Sequence, residues 1–61
     1  MMYTKLKRER QKTGLMQSEI AEKANISLRA YQYYESGQRV PDVNTAKLIA
    51  KALNTTVEKL F

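Results

Sequence analysis

The sequence predicts an all-α fold, a compact bundle of five short helices in one domain spanning residues 1–61. Three observations predict it. Apolar residues recur at helical spacing in five separate segments. Gly14, Asn25, Gly37, Pro41 and Asn54 fall between those segments, as chain-reversing residues should. A chain of 61 residues buries only about 60% of its unfolded surface, and this one has no cysteine or histidine for disulfides or thiolate metal sites. Packed helices are the remaining way to build a core.

Helix one is expected over about Tyr3 to Thr13, where Tyr3, Leu6 and Arg10 follow one face. Gly14 stops it, because glycine tolerates positive φ. Helix two covers about Gln17 to Ala24. Ile20, Ala21 and Ala24 share a face there, and the alanines allow close approach by a neighbour. Asn25 makes the next turn, in the left-handed conformation that asparagine tolerates. Ser27 is a natural N-cap for helix three, Leu28 to Ser36, which Gly37 ends. Residues 38–41 form a loop. Asp42 caps helix four, about Val43 to Leu53, with Val43, Ala46, Ile49 and Leu53 inward. Asn54 breaks it. Helix five, Val57 to Phe61, has two candidate caps: Thr55, at capping-box spacing from Glu58, and Thr56.

Eleven basic residues face six acidic ones, for a net charge of +5. Lys5, Lys7, Arg8, Arg10 and Lys12 against Glu9 place a surplus of four within residues 1–12. Such a surplus suits an anionic partner, nucleic acid or an acidic membrane surface. A solvated helix face is the plainer reading of the same charges. No apolar run approaches the ~20 residues of a membrane span, and the N-terminus lacks a signal-type hydrophobic region. A soluble, intracellular chain with no membrane partner is the expectation, and the absence of cysteine is compatible with a reducing compartment.

Helices two and three are short and joined by a turn of three or four residues, a helix-turn-helix over about residues 17–36. The second helix of that motif lies in the DNA major groove. Two short helices alone are weak evidence, and the division of helix three is sharper. Ile26, Ala30, Tyr31 and Tyr34 lie toward one side; Leu28, Arg29, Gln32, Tyr33 and Ser36 lie on the other. A leucine between arginine and tyrosine on an exposed face suits a groove reader. Leu28 matches a thymine methyl, Arg29 guanine O6 and N7, and Gln32 adenine or a phosphate. Of the three tyrosines at 31, 33 and 34, only Tyr33 faces out, toward a base edge, a sugar or a phosphate. A stacking platform for single strands wants several aromatics on one surface.

Two charges sit on inward faces: Arg10 on helix one and Glu35 on helix three. An unpaired buried charge is costly, so the expectation is a structural ion pair between them. The alternative is that both reach solvent along the rim.

The segments "GLMQSEIAEKANIS" and "ESGQRVPDVNTAKLIAKALNTTVEKLF" closely resemble the Cro/repressor-type helix-turn-helix family, also called the xenobiotic-response-element family. This family includes the DNA-binding domains of lambdoid phage repressors. The resemblance runs from about Leu6 to Leu60. It implies the lambda-repressor-like five-helix domain, binding operator DNA and usually dimeric. It implies that Gln17 contacts a backbone phosphate and braces helix three, and that Ser27, Leu28, Arg29 and Tyr33 occupy base-reading positions, with Gln32 nearby. Ser36, Gln38 and Arg39 match phosphate-touching positions. The family commonly pairs the residues that match Arg10 and Glu35. Four positions depart from its pattern: Met16 for Ser or Thr, Asn25 for Gly, Tyr31 for a smaller aliphatic residue, and Leu28 for a polar one.

The functional expectation is a sequence-specific double-stranded DNA-binding transcriptional regulator, a repressor acting as a homodimer on a palindromic operator. It would be cytoplasmic, of bacterial or phage type, on nucleoid DNA. Two alternatives are an antitoxin-like protein-interaction module that autoregulates through DNA, and the controller protein of a restriction–modification system. An antitoxin often carries an extra toxin-gripping segment, and none is evident. An enzyme is not expected: histidine and cysteine are absent, no glycine-rich phosphate loop occurs, and the acidic residues are scattered. No cofactor or metal is expected. Family precedent places the dimer interface at the end of helix four and helix five. There, Leu60 and Phe61 either cover a two-fold axis or serve, respectively, as core closure and frayed end.

Overall fold

The computed structural model describes residues 5–61, and the expectation for Tyr3 lies outside them. Five helices follow one another: α1 (Lys5–Thr13), α2 (Gln17–Lys23), α3 (Leu28–Ser36), α4 (Val43–Ala52) and α5 (Val57–Leu60). No strand occurs among the described residues. α2 packs on α3 and α4; α1 packs on α3 and α5; α5 also packs on α4.

Local chemistry sets the helix ends. Gly14 follows α1 at φ +76°, and a side chain there would meet nothing within 4 Å. Glycine is suited to this position by its backbone angle rather than by crowding. Ala24 caps α2, one residue earlier than expected, and Asn25 sits at φ 59°. The Ile26 N–H then closes the helix end by donating to the Ala21 carbonyl at 3.0 Å. Asn54 ends α4 in the same way at φ 59°, and the Thr55 N–H donates to the Ala50 carbonyl at 2.9 Å. Leu53 accordingly becomes the cap of α4 rather than its last residue. Ser27 accepts from the Ala30 N–H at 3.0 Å, and Asp42 from the Thr45 N–H at 2.9 Å. Between the two candidate caps of α5, Thr56 is the one used: its hydroxyl accepts from the Lys59 N–H. The helix stops at Leu60, with Phe61 as its cap.

α2 keeps half of a capping arrangement. Met16 has no side-chain oxygen to offer, but the Glu19 carboxylate reaches back and accepts from the Met16 N–H at 2.7 Å. That bond satisfies one of the helix's free N-terminal donors.

The core gathers Leu6, Ile20, Ala21, Ala24, Tyr31, Ile49, Ala50, Leu53 and Leu60, with Leu15, Ile26, Tyr34, Ala52 and Val57 against it. Leu6, Ile20, Tyr31 and Ile49 are wholly enclosed, and burying a side chain of this size is worth about 1.5–3 kcal/mol. One inward assignment is corrected. Val43 is 69% exposed. The buried stripe of α4 is Ala46, Ile49, Ala50 and Leu53, and Val43 lies on its extension one turn before the core begins. Of the two C-terminal candidates, Leu60 is buried and closes the core, while Phe61 is exposed.

Candidate nucleic-acid interface

α3 has a buried side and a solvated side. Tyr31 and Glu35 are buried, and Tyr34 is half-buried against the core. Leu28, Arg29 and Gln32 are exposed, while Tyr33 and Ser36 are intermediate. Ser27 sits at the N-terminal end of that outer side, its hydroxyl occupied by the helix cap.

The buried side is held by an ion pair. Arg10 Nε donates to Glu35 Oε2 at 2.7 Å, and Nη2 donates to Oε1 at 3.2 Å. Two parallel bonds of this kind fix the guanidinium plane. Its third edge, Nη1, donates to the Leu15 carbonyl at 3.0 Å. Arg10 thus ties α1 both to α3 and to the α1–α2 turn. Burial alone pushes the Glu35 carboxyl up, but the bonds from Arg10 and Gln17, with the Tyr31 hydroxyl adjacent, outweigh it and hold Glu35 below its ordinary value. Arg10 is raised by the same partnership. The Tyr31 hydroxyl is buried beside the pair and makes no hydrogen bond among the described residues. Burial, reinforced by the Glu35 carboxylate, pushes the phenol well above its ordinary value.

Glu35 is also the inner end of a side-chain chain. Gln17 Nε2 donates to Glu35 Oε1 at 2.8 Å, and Gln32 Nε2 donates to Gln17 Oε1 at 3.2 Å. Gln17, the first residue of α2, therefore braces α3 from the side.

The C-terminal end of α3 converges on one carbonyl. Gln38 and Arg39 donate their N–H groups to the Tyr33 oxygen at 3.0 and 3.3 Å, and the Ser36 hydroxyl donates to it at 3.1 Å. Gly37, at φ 84°, makes this reversal possible. It also carries the Arg39 guanidinium to 4.7 Å above the Tyr33 ring, a favourable cation–aromatic contact. Arg29, Gln32, Tyr33, Ser36 and Gln38 line a shallow depression of about 350 Å³.

The structure thus gathers Leu28, Arg29, Gln32, Tyr33, Ser36, Gln38 and Arg39 along one helix and its exit turn. Gln17 is joined to them through Gln32, and Arg10 with Glu35 lies behind. Three links were not read from the sequence: Gln17 to Glu35, Gln17 to Gln32, and Arg39 over Tyr33. The first had a faint signal, since a buried carboxylate needs more donors than one arginine supplies. The other two had none, because they depend on how separate elements and a loop come together.

The helix-turn-helix family model of the Cro/repressor type matches residues 6–60. The chain belongs to this family. It is also similar to an Archaeoglobus fulgidus protein named as an uncharacterized HTH-type transcriptional regulator. The two are 32% identical over 60 residues, covering 98% of this chain and 86% of that protein. Among the described residues, no helix is long and apolar enough to cross a membrane.

Proposed function

We propose that this helix-turn-helix chain is a sequence-specific double-stranded DNA-binding transcriptional regulator that represses by occupying a palindromic operator as a homodimer. The observation that carries the reading is the exposed Leu28–Arg29–Gln32 face on a helix whose opposite face is locked by the Arg10–Glu35 pair. A rigid helix presenting an apolar contact, a guanidinium and an amide matches what base edges offer in the major groove. Gln17, Ser36, Gln38 and Arg39 flank that face and supply phosphate contacts, which position the helix without reading sequence. Ser27 and Tyr33 extend the reading surface at its two ends.

Size supports a second copy. Half-sites of a palindrome lie about 34 Å apart, and the Cα trace of the described residues extends 26 Å along its longest axis, short of that separation. Among the described residues, Met16, Val40, Val43, Leu48 and Phe61 are exposed large apolar side chains outside α3; Val40, Val43, Leu48 and Phe61 are the candidates for burial between protomers.

Selection from a random duplex pool, with the native chain beside Arg29→Ala, tests the reading. The native chain should enrich a palindrome, and the variant should lose preference at one symmetric base pair. Binding that enriches nothing and simply fades with salt would reduce the basic charge to a non-specific footprint.

A further inference from the structure

The chain Arg10–Glu35–Gln17–Gln32 has a direction. Arginine only donates hydrogen bonds, and an ionised carboxylate only accepts them. The Gln17 atom 2.8 Å from Glu35 Oε1 must therefore be its amide nitrogen. That choice turns the Gln17 oxygen outward. The Gln32 atom 3.2 Å from it must then be nitrogen as well. Reversing either amide sets oxygen against oxygen, next to a buried carboxylate that Arg10 holds in place.

Gln32 is left with one N–H and its carbonyl oxygen to offer at the surface, beside Arg29 and Tyr33. A donor next to an acceptor complements adenine, whose N7 accepts and whose N6 donates. Guanine offers two acceptors, N7 and O6. An unconstrained glutamine could turn its NH₂ toward O6; this one is held from doing so.

We propose that Arg10, Glu35 and Gln17 form a polarity relay that fixes the Gln32 amide and so sets a preference for adenine over guanine at the base pair beneath it. Gln32 is the reading residue; Gln17 and Glu35 are positioning residues for specificity. The inference rests on the reading above, in which α3 enters the major groove.

The test compares affinities for the selected duplex with adenine or guanine at the position that Gln32→Ala makes indifferent. Gln17→Met removes the relay's middle. Gln17→Lys keeps a donor toward Glu35 but removes the acceptor for Gln32, and so covers the case in which the Met variant folds poorly. Because Gln17 is also assigned a phosphate contact in the proposed function, the adenine-to-guanine ratio is the readout, not the affinity. The native ratio should be about tenfold or more, and both variants should bring it below about threefold while leaving the pair read by Arg29 unchanged. A selected palindrome with the native ratio intact in either folded variant overturns the relay alone. A native chain that selects no sequence overturns the DNA reading and the relay together.

Discussion

On its inner side, α3 places Tyr31 and Glu35 out of solvent, with both carboxylate oxygens of Glu35 met by named donors. On its outer side, Leu28 is 43% exposed, a large apolar group left partly open to solvent. The same nine residues thus carry two kinds of constraint. Inner positions are fixed by what the protein would lose without them. Outer positions cost the fold little and are free to be chosen for a ligand. The Gln17–Gln32 bond is where the two sides meet.

The strongest way to break this contrast is Arg10→Met. It leaves the Glu35 carboxylate buried without its cation, at a cost of about 3–5 kcal/mol. A domain of this length has only about 3–9 kcal/mol in total. Urea unfolding followed by helical circular dichroism should show most of the stability gone. A loss below about 1 kcal/mol is the value of an exposed pair and would place Arg10 and Glu35 on the rim.

Acid probes the same pair without mutation. Glu35 has a folded pKa below its ordinary value of 4.5. Its ionised form therefore stabilises the fold above about pH 4.5, and that contribution is lost as pH falls through the depressed folded value. A thermal midpoint that falls in this acid window for the native chain, but not for Glu35→Gln, is expected.

Tyr31 gives the opposite sign. Its phenol stays protonated in the fold beyond the ordinary value of 10.0. The neutral ring is compatible with the fold below that pH; above it the unfolded chain releases a proton that the folded chain keeps, and stability declines. Tyr31→Phe should remove that alkaline decline. Since the hydroxyl lacks a hydrogen-bond partner, the substitution should leave neutral-pH stability unchanged or raise it by up to about 1 kcal/mol. A clear loss would reveal a bond from the hydroxyl to Glu35.

The smallest effect sharpens the outer side. Arg29→Ala should move stability by no more than about 0.5 kcal/mol, while altering base preference in duplex selection. A larger destabilisation would mean that this face also supports the fold.

Legibility in the sequence followed the range of the interaction. Ser27, Asp42 and Gly37 act on backbone within three residues, and the expected ends of α3 hold to the residue. The buried side of α3 was readable because tyrosines and a carboxylate at helical spacing restrict their own placement. Val43 was misplaced because periodicity gives a face but not where along it the neighbours stop. Thr55 and Thr56 were undecided because one residue of register depends on how Asn54 turns. The Gln17–Gln32 bond and the Arg39–Tyr33 contact depend on angles between elements, which no local pattern encodes.

Each of the four connections contains one residue at positive φ: Gly14, Asn25, Gly37 and Asn54. Chain reversal is thus concentrated at single joints, and little loop has to be closed between successive helices. Helical domains dominated by such short-range contacts fold in microseconds to milliseconds. Synthesis at about 5–20 residues per second takes far longer for a chain of this length. Assembly therefore keeps pace with translation, and the apolar faces of α1 and α4 are covered almost as soon as α5 is free to pack on them.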